Sequence, residues 1–278
     1  MDRFKHCLLV SDFDNTLQFT EETLRTGRPL PPVSPRNLEA IRRWMAEGGY
    51  FTVATGRTLD AFRRQAEGIP MNAPVIVDNG GAVYDWETGT YLVKNFLAPG
   101  AAGRIAGVLE RFRGVSLELY REGGPVEVLR ETDWNRQHAL LTGLPYRVVE
   151  RLEDRGELRK ALFVAERAEL ERVRSFIAGE SWSGDYQLIF STDHLLELTA
   201  QGADKGRMAL WLKERLGCKK LFCAGDQATD LPMLRTADRA FAPANAAAEV
   251  RASGAELVCH CVDGAIGDAV ALLERELG

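Results

Sequence analysis

Two aspartates, separated by one residue, follow the first apolar segment of this 278-residue chain. The run Cys7–Val10 is typical of a buried strand, and Asp12 and Asp14 come just after it. Close carboxylates repel each other and lose hydration when buried, so they need a positive partner. A divalent cation such as Mg²⁺ would meet this need, because it prefers oxygen ligands. The segment therefore predicts a metal-dependent acidic site; the alternative is a solvated turn, which Asp and Asn also favour.

Three later segments carry side chains that suit the same site. They are Thr55-Gly56-Arg57 after a strand pattern, Lys205 at the start of a helix pattern, and Asp226 with Asp230 after another strand pattern. In open parallel α/β sheets, ligands bind outside the carboxyl ends of the strands, so these groups can meet in one crevice. A carboxylate can act as a nucleophile, while Lys and Thr side chains can hold phosphate oxygens. The residue types favour phosphoryl transfer, which depends mainly on positioning and charge.

Strand and helix patterns alternate in both terminal parts of the chain. A helix with Ser34 as its N-cap leads to a strand at Tyr50–Ala54, and a further strand pattern lies at Pro74–Val77. The alternation resumes with Leu195–Leu198. Strands separated by helices imply crossover connections and a parallel sheet covered on both faces. We therefore predict an α/β fold with a doubly wound, Rossmann-like parallel sheet as its core.

The middle of the chain follows a different pattern. Residues 85–190 contain alternating strands such as Val115–Leu119 and a longer strand candidate at Lys160–Ala165. This pattern favours an inserted α+β domain over a continuation of the repeating β-α units. The predicted organisation is a catalytic core of residues 1–84 and 191–278, interrupted by an inserted domain of residues 85–190.

Composition limits the classes of partner and the location. Apolar residues make up 45% and charged residues 27% of the chain, and the net charge of −5 argues against a nucleic-acid surface. The sequence shows neither the apolar region of a signal peptide nor an apolar stretch of about 18 residues that could span a membrane. We therefore expect a cytoplasmic protein with no nucleic-acid or membrane partner; its oligomeric state is not readable from the sequence.

The motifs, taken in order, resemble those of the haloacid dehalogenase (HAD) superfamily of phosphatases. They comprise the Asp-x-Asp-x-Thr segment from Asp12 to Thr16, then Thr55, Lys205, and the Gly-Asp-x-x-x-Asp segment from Gly225 to Asp230. The insertion at 85–190 is similar in position and pattern to the α+β (C2B-type) cap of the Cof-like, sucrose-phosphatase-like branch. This resemblance covers both terminal parts of the chain.

The resemblance implies a role for each of the four aspartates. Asp12 would be the nucleophile and a Mg²⁺ ligand. Asp14 would be the general acid and base, with its backbone carbonyl on the metal. Asp226 would bind the metal through its carboxylate, and Asp230 would support the metal directly or through water.

The resemblance also implies a phosphate-binding set and two possible substrate contacts. Thr55, Gly56 and Lys205 would bind the transferred phosphate. A cation is unfavourable at a helix N-terminus, so the position of Lys205 predicts an anionic partner, although most lysines lie on the surface. Thr55 could instead cap the next helix. Arg57 could contact the substrate or brace its loop, and Asn79 could contact the substrate or be a turn residue.

Two residues depart from the pattern of the resembling branch. Asn15 stands where Gly is frequent, and we expect this change to be mild because Asn tolerates unusual backbone angles. Thr229 stands where Asn is frequent, just before Asp230, and could weaken the placement of the metal.

By resemblance, we expect a Mg²⁺-dependent phosphatase that hydrolyses a small phosphomonoester, a sugar phosphate being the first class to test, through an aspartyl-phosphate on Asp12. One alternative is a phosphohexomutase, which would return the phosphate to another sugar position. Another is a non-enzymatic, phospho-accepting signalling protein. The long insertion argues against this last alternative, as does Asp14, which offers the acid-base group that turnover needs.

Overall fold

The structure, a computed structural model, describes residues 2–26 and 30–277. In chain order its strands and helices are β1 (Cys7–Ser11), α1 (Glu21–Thr26), α2 (Pro35–Ala46), β2 (Tyr50–Val53), α3 (Leu59–Arg63), β3 (Val75–Val77), β4 (Ala82–Asp85), β5 (Thr90–Lys94), α4 (Ala101–Arg111), β6 (Ser116–Arg121), β7 (Val126–Leu129), α5 (Asp133–Thr142), β8 (Tyr146–Val148), β9 (Leu158–Val164), α6 (Arg167–Ala178), β10 (Tyr186–Thr192), β11 (Leu195–Ala200), α7 (Lys205–Arg215), β12 (Lys220–Ala224), α8 (Leu231–Thr236), β13 (Arg239–Pro243), α9 (Ala248–Arg251), β14 (Glu256–Val258) and α10 (Ala265–Leu277). Short 3₁₀ helices include Asp78–Gly80 and Ala228–Asp230. Within the described ranges, every helix is too short or too polar to span a lipid bilayer.

The chain divides into two compact units. The first comprises Met1–Val93 and Asp204–Gly278, and the second comprises Lys94–Ala203. Both junctions lie later in the chain than those expected from the sequence, 84/85 and 190/191. The first difference arises because β4 and β5 form a sheet with β3. We propose the junctions at 93/94 and 203/204 as the domain boundaries.

The first unit is built on a parallel sheet. Its strand order is β14-β13-β12-β1-β2, and every adjacent pair is parallel. A parallel bridge between Ala54 and Ile76 connects the end of β2 to β3. The prediction of an α/β fold with a Rossmann-like parallel core is confirmed.

Burial of both sheet faces explains why β1 is apolar throughout. Leu9 belongs to a core cluster that includes residues of α2 and α10, such as Trp44 and Val270. Leu8 and Val10 point to the other face and belong to a second cluster, which includes residues of α7. Since side chains alternate between the faces of a strand, a central strand covered by helices on both sides has no polar position until it ends. The first carboxylate, Asp12, comes directly after this end.

The start of α2 agrees with the prediction in position but not in hydrogen bonding. Ser34 occupies the N-cap position and Pro35 follows at the first helical position, as expected. The Ser34 side chain, however, makes no capping hydrogen bond. The start of α2 therefore owes more to the preset backbone angle of Pro35 than to a side-chain cap.

The second unit contains a mainly antiparallel sheet. Its strand order is β10-β11-β9-β6-β7-β8, with α4 and α6 packed into the core on one face. The prediction that Leu195–Leu198 resumes the parallel pattern is wrong, because β11 pairs antiparallel with both β10 and β9. A short apolar run is equally compatible with a parallel and an antiparallel strand, so its pattern could not reveal its partners.

Candidate active site

The strand tips of β1 and β12 bring the two acidic motifs together. Ser11 and Ala224 are paired at the ends of these strands, and the Asp12 N–H donates to the carbonyl oxygen of Ala224 at 2.8 Å. The next residues along the second strand are Gly225 and Asp226. The parallel register therefore places the first and fourth motifs side by side, although they are far apart in sequence.

Lys205 connects these motifs through its ammonium group. It is the first residue of α7, and its side chain is 2% exposed. Nζ donates to Asp12 Oδ1 at 2.5 Å and to Asp230 Oδ1 at 2.7 Å. Burial alone would lower the pKa of Lys205, but the charges of the two carboxylates raise it above its usual value, so the amine stays charged. The anionic partner predicted for this lysine is thus a pair of aspartates.

Asp226 is oriented by two residues to which the sequence analysis gave no role. The Thr16 hydroxyl donates to Asp226 Oδ1 at 2.9 Å, and Gln227 Nε2 donates to Oδ2 at 3.1 Å. Burial, followed by the charge of Asp230, raises the pKa of Asp226 to about 7. Thr16 closes the Asp-x-Asp-x-Thr motif, so its place in the motif was a usable signal; Gln227 offered none.

Backbone N–H groups hold Asp230. The N–H groups of Asp226 and Gln227 both donate to Asp230 Oδ2 at 2.9 Å. Gly225 makes this approach possible, since a Cβ atom there would lie 2.4 Å from Asp230 Cβ. This arrangement positions the carboxylate through the neighbouring main chain. An effect of Thr229 on the placement of the metal stays a prediction.

Three carboxylates form a cluster that could hold a metal ion. Oxygens of Asp12, Asp226 and Asp230 all lie within 4.8 Å of one another, and all three residues are buried. Burial and then the charge of Asp230 raise the pKa of Asp12, as they do for Asp226. The single positive charge of Lys205 does not balance three carboxylates, so the cluster keeps excess negative charge. The ligand atoms that the cluster offers are all oxygens, which Mg²⁺ prefers. The residues present therefore fit Mg²⁺.

The Asp14 side chain is held by Arg57. Arg57 Nε donates to Asp14 Oδ2 at 2.8 Å, and Nη2 donates to Oδ1 at 2.6 Å. Burial would raise the pKa of Asp14, but the charge and hydrogen bonds of Arg57 lower it below its usual value. The sequence left two roles open for Arg57, contact with a substrate and bracing of its loop. The structure shows that its guanidinium group contacts the predicted acid-base residue, Asp14.

The loop after β2 carries the predicted phosphate-binding residues. Thr55 Oγ1 accepts from the Arg57 N–H at 3.1 Å, whereas the cap of α3 is Thr58, whose Oγ1 accepts from Ala61 N–H at 3.3 Å. Thr55 is therefore not the helix cap, the alternative considered for it. Asn79 supports the loop, since its N–H donates to the carbonyl of Thr55 at 3.0 Å. A contact of Asn79 with substrate stays a prediction.

Asn15 has the backbone conformation that the frequent Gly would allow. Its φ is +57°, in the left-handed region, which Asn tolerates better than most residues. Its side-chain Oδ1 accepts from the N–H groups of Thr20 and Glu21, each at 3.0 Å, and thereby ties the motif to the start of α1. The expectation of a mild change is consistent with this geometry.

Comparison with known proteins places the chain among related enzymes. Residues 9–269 match the model of the haloacid dehalogenase-like hydrolase family. A protein of Methanopyrus kandleri named phosphoglycolate phosphatase is 26% identical over 274 residues, which cover 97% of this chain and 96% of that protein.

Solved structures share the fold of the whole chain. A haloacid dehalogenase-like hydrolase from Bacteroides thetaiotaomicron superposes with a TM-score of 0.79 at 21% identity, covering 97% of this chain and 99% of that one. One from B. subtilis has a TM-score of 0.80 at 18% identity, covering 95% and 98%. A sugar phosphatase of HAD subclass IIB has a TM-score of 0.78 at 18% identity, covering 98% and 99%. Because the family match spans most of the chain, the resemblance recognised from its four motifs is confirmed: the chain belongs to the haloacid dehalogenase-like hydrolase family.

Proposed function

We propose that this hydrolase removes the phosphate group from a small phosphomonoester through a covalent aspartyl-phosphate on Asp12. The observation that supports the proposal most directly is the meeting of Asp12, Lys205 and Asp230 within hydrogen-bond distance at the tips of two parallel strands. A buried carboxylate fixed by an ammonium group and surrounded by further carboxylates is suited to nucleophilic attack on phosphorus beside a divalent cation.

Asp12 and Asp14 divide the chemistry in this proposal. An Asp12 carboxylate oxygen attacks phosphorus in line, and the bond from phosphorus to the leaving oxygen breaks. The leaving oxygen keeps the electron pair of that bond and takes a proton from Asp14. In the second step Asp14 takes a proton from water, the water oxygen attacks phosphorus, and the electron pair of the broken bond returns to Asp12.

The remaining residues manage charge and position. Lys205, Thr55 and Gly56 would hold the non-bridging oxygens of the phosphate and offset the charge that develops on them. Asp12, Asp226 and Asp230, with the backbone carbonyl of Asp14, would hold Mg²⁺. When bound, the ion would neutralise negative charge on the phosphate and on the carboxylates.

The names of similar proteins guide the choice of substrate class. The similar proteins include one named for phosphoglycolate and one named for sugar phosphates, both small phosphomonoesters. We propose a sugar phosphate as the first substrate class to test. A cytoplasmic location stays a prediction. A phosphohexomutase would use the same Asp12 chemistry but would return the phosphate to a sugar and release no inorganic phosphate.

A panel of phosphate esters tests the proposal directly. Release of inorganic phosphate is measured from sugar phosphates, phosphoglycolate, nucleotides and p-nitrophenyl phosphate, with Mg²⁺, with EDTA, and with Mg²⁺ restored after EDTA. We expect release from at least one small ester, its loss with EDTA and its recovery with Mg²⁺, because three crowded carboxylates lack a sufficient counter-charge without the ion. A sugar bisphosphate intermediate without free phosphate would favour the mutase; no turnover with any ester would contradict both.

Asp14→Asn should slow turnover strongly without removing the nucleophile. We expect kcat on an alkyl phosphate to fall by ~10²–10⁴, the usual worth of general acid-base catalysis. Steady-state phosphate release measures this loss, with circular dichroism as a check on folding. Asp85→Asn, at the end of β4, is the matched control and should retain full activity. Unchanged turnover of Asp14→Asn would remove the acid-base role.

A further inference from the structure

We propose that Arg57 is a positioning residue for proton transfer: it holds the Asp14 carboxylate in the orientation from which Asp14 protonates the leaving oxygen. The proposal rests on the phosphatase function proposed above. It assigns to Arg57 an action on another side chain of the site, whereas the sequence analysis left open whether Arg57 contacts the substrate or braces its loop.

The contact between the two side chains is a two-point fork. The Nε and Nη2 atoms of Arg57 donate to different oxygens of Asp14, at 2.8 Å and 2.6 Å. Two parallel bonds fix the rotation of the carboxylate plane, which a single bond from an ammonium group would leave free. Each carboxylate oxygen keeps a further lone pair beyond the one that Arg57 uses, so Asp14 can still take up a proton. The fork favours the ionised carboxylate, so a proton on Asp14 is held weakly and is readily given up to the leaving oxygen.

Arg57 is more deeply buried than Asp14, as a positioning role for Arg57 requires. Arg57 is 5% exposed, whereas Asp14 is 32% exposed. The guanidinium therefore approaches the carboxylate from the protein side, and Asp14 keeps an accessible edge.

Arg57 is itself fixed at several points. Its guanidinium carbon lies 5.4 Å from the centroid of the Phe13 ring, a cation–π distance, and Phe13 is fully buried. Its N–H donates to Thr55 Oγ1 at 3.1 Å, and its carbonyl oxygen accepts from Asp78 N–H at 2.9 Å. The loop after β2 and the motif after β1 thus fix Asp14 together, through Arg57.

The proposed role has a chemical signature that a merely structural role lacks. A leaving group such as an alkoxide needs a proton as it departs, whereas p-nitrophenolate departs without one. If Arg57 acts by positioning the proton donor, its loss should slow the first substrate class far more than the second. If Arg57 only stabilises the fold or binds phosphate, both classes should slow together.

The test compares kcat/KM of wild type, Arg57→Gln and Arg57→Lys on p-nitrophenyl phosphate and on the best alkyl phosphate from the panel. This ratio is used because it covers the steps through departure of the leaving group. For Arg57→Gln we expect a loss of ~10²-fold on the alkyl phosphate, the usual cost of a misplacement of about 1 Å. On p-nitrophenyl phosphate we expect a loss below about threefold, since acid catalysis contributes little there.

The control and a rescue experiment complete the design. Arg63→Gln removes a nearby guanidinium that donates to Tyr84 Oη at 2.9 Å, and should leave both ratios unchanged. Arg57→Lys should recover part of the alkyl phosphate activity that Arg57→Gln loses. A further variant, Arg57→Ala, should be partly restored on that substrate by added guanidinium chloride.

Equal losses on both substrates, with no rescue, would overturn the positioning role while leaving the phosphatase proposal intact. If Arg57→Gln does not fold, the test uses Arg57→Lys alone. The proposal then requires that Arg57→Lys lose more kcat/KM on the alkyl phosphate than on p-nitrophenyl phosphate. A wild-type protein that hydrolyses neither substrate would instead contradict the proposed function.

Discussion

Asp12→Asn is expected to reduce hydrolysis of every substrate to the background rate. An amide oxygen is a poor nucleophile at phosphorus, so the covalent step cannot begin. The substitution should not unfold the protein, because it removes one negative charge from a crowded carboxylate cluster and leaves Lys205 bonded to Asp230 Oδ1 at 2.7 Å. Phosphate release and the thermal unfolding midpoint of the metal-free protein measure the two parts of this prediction.

Trapping of the intermediate adds a direct readout. Wild type quenched in acid during turnover of a labelled ester should retain covalent phosphate, and Asp12→Asn should retain none. Asp60→Asn, an exposed position in α3, is the matched control and should behave as wild type. Retained activity or retained label in Asp12→Asn would show that another group is the nucleophile.

Lys205→Met should damage both activity and stability. The substitution keeps the length of the side chain but removes the charge that lies 2.5 Å from Asp12 Oδ1 and 2.7 Å from Asp230 Oδ1. Removing one partner of a buried ion pair costs ~3–5 kcal/mol of unfolding free energy, because the other partner stays buried without compensation. Loss of a group that stabilises transition-state charge should also lower kcat by ~10²–10³.

Denaturant unfolding in EDTA measures the loss of unfolding free energy. Added Mg²⁺ should restore part of that free energy, because it supplies positive charge to the carboxylates. The matched control is Lys213→Met in the same helix, where Nζ lies 3.3 Å from Asp238 Oδ2 and the lysine is partly exposed. We expect this control to lose less than about 1 kcal/mol, as exposed pairs do. Equal losses for both lysines would falsify the claim that the carboxylate cluster depends on Lys205.

The parts of this structure that could be read from the sequence are those set by local pattern. The strand at Cys7–Ser11 and its successors were visible because central parallel strands are continuous apolar runs. Their ends were visible because carboxylates cannot remain inside such a sheet without a charged partner. Because ligands of such sheets bind outside the carboxyl ends of the strands, Asp12 and Asp226 were expected to meet in one crevice, and their oxygens lie within 4.8 Å of one another.

The parts that could not be read depend on partners distant in sequence. Leu195–Ala200 pairs antiparallel in the second sheet, although its apolar pattern suits a parallel strand equally well. The bond from Gln227 to Asp226 depends on the shape of one turn, and the fork from Arg57 to Asp14 depends on how two loops approach each other. No spacing in the sequence specifies either approach.

The pairing of β1 with β12 has a consequence for biosynthesis. Thr16 and Asp226, which are hydrogen-bonded in the folded protein, are 210 residues apart. At ~5–20 residues per second, a ribosome needs about 10 to 40 seconds to make that interval. During this time the nascent chain holds an apolar strand whose neighbour on one side does not yet exist, and unpaired strand edges invite aggregation. Chaperone demand should therefore be greatest for ribosomes stalled before Lys220 and should fall once Ala224 has left the exit tunnel.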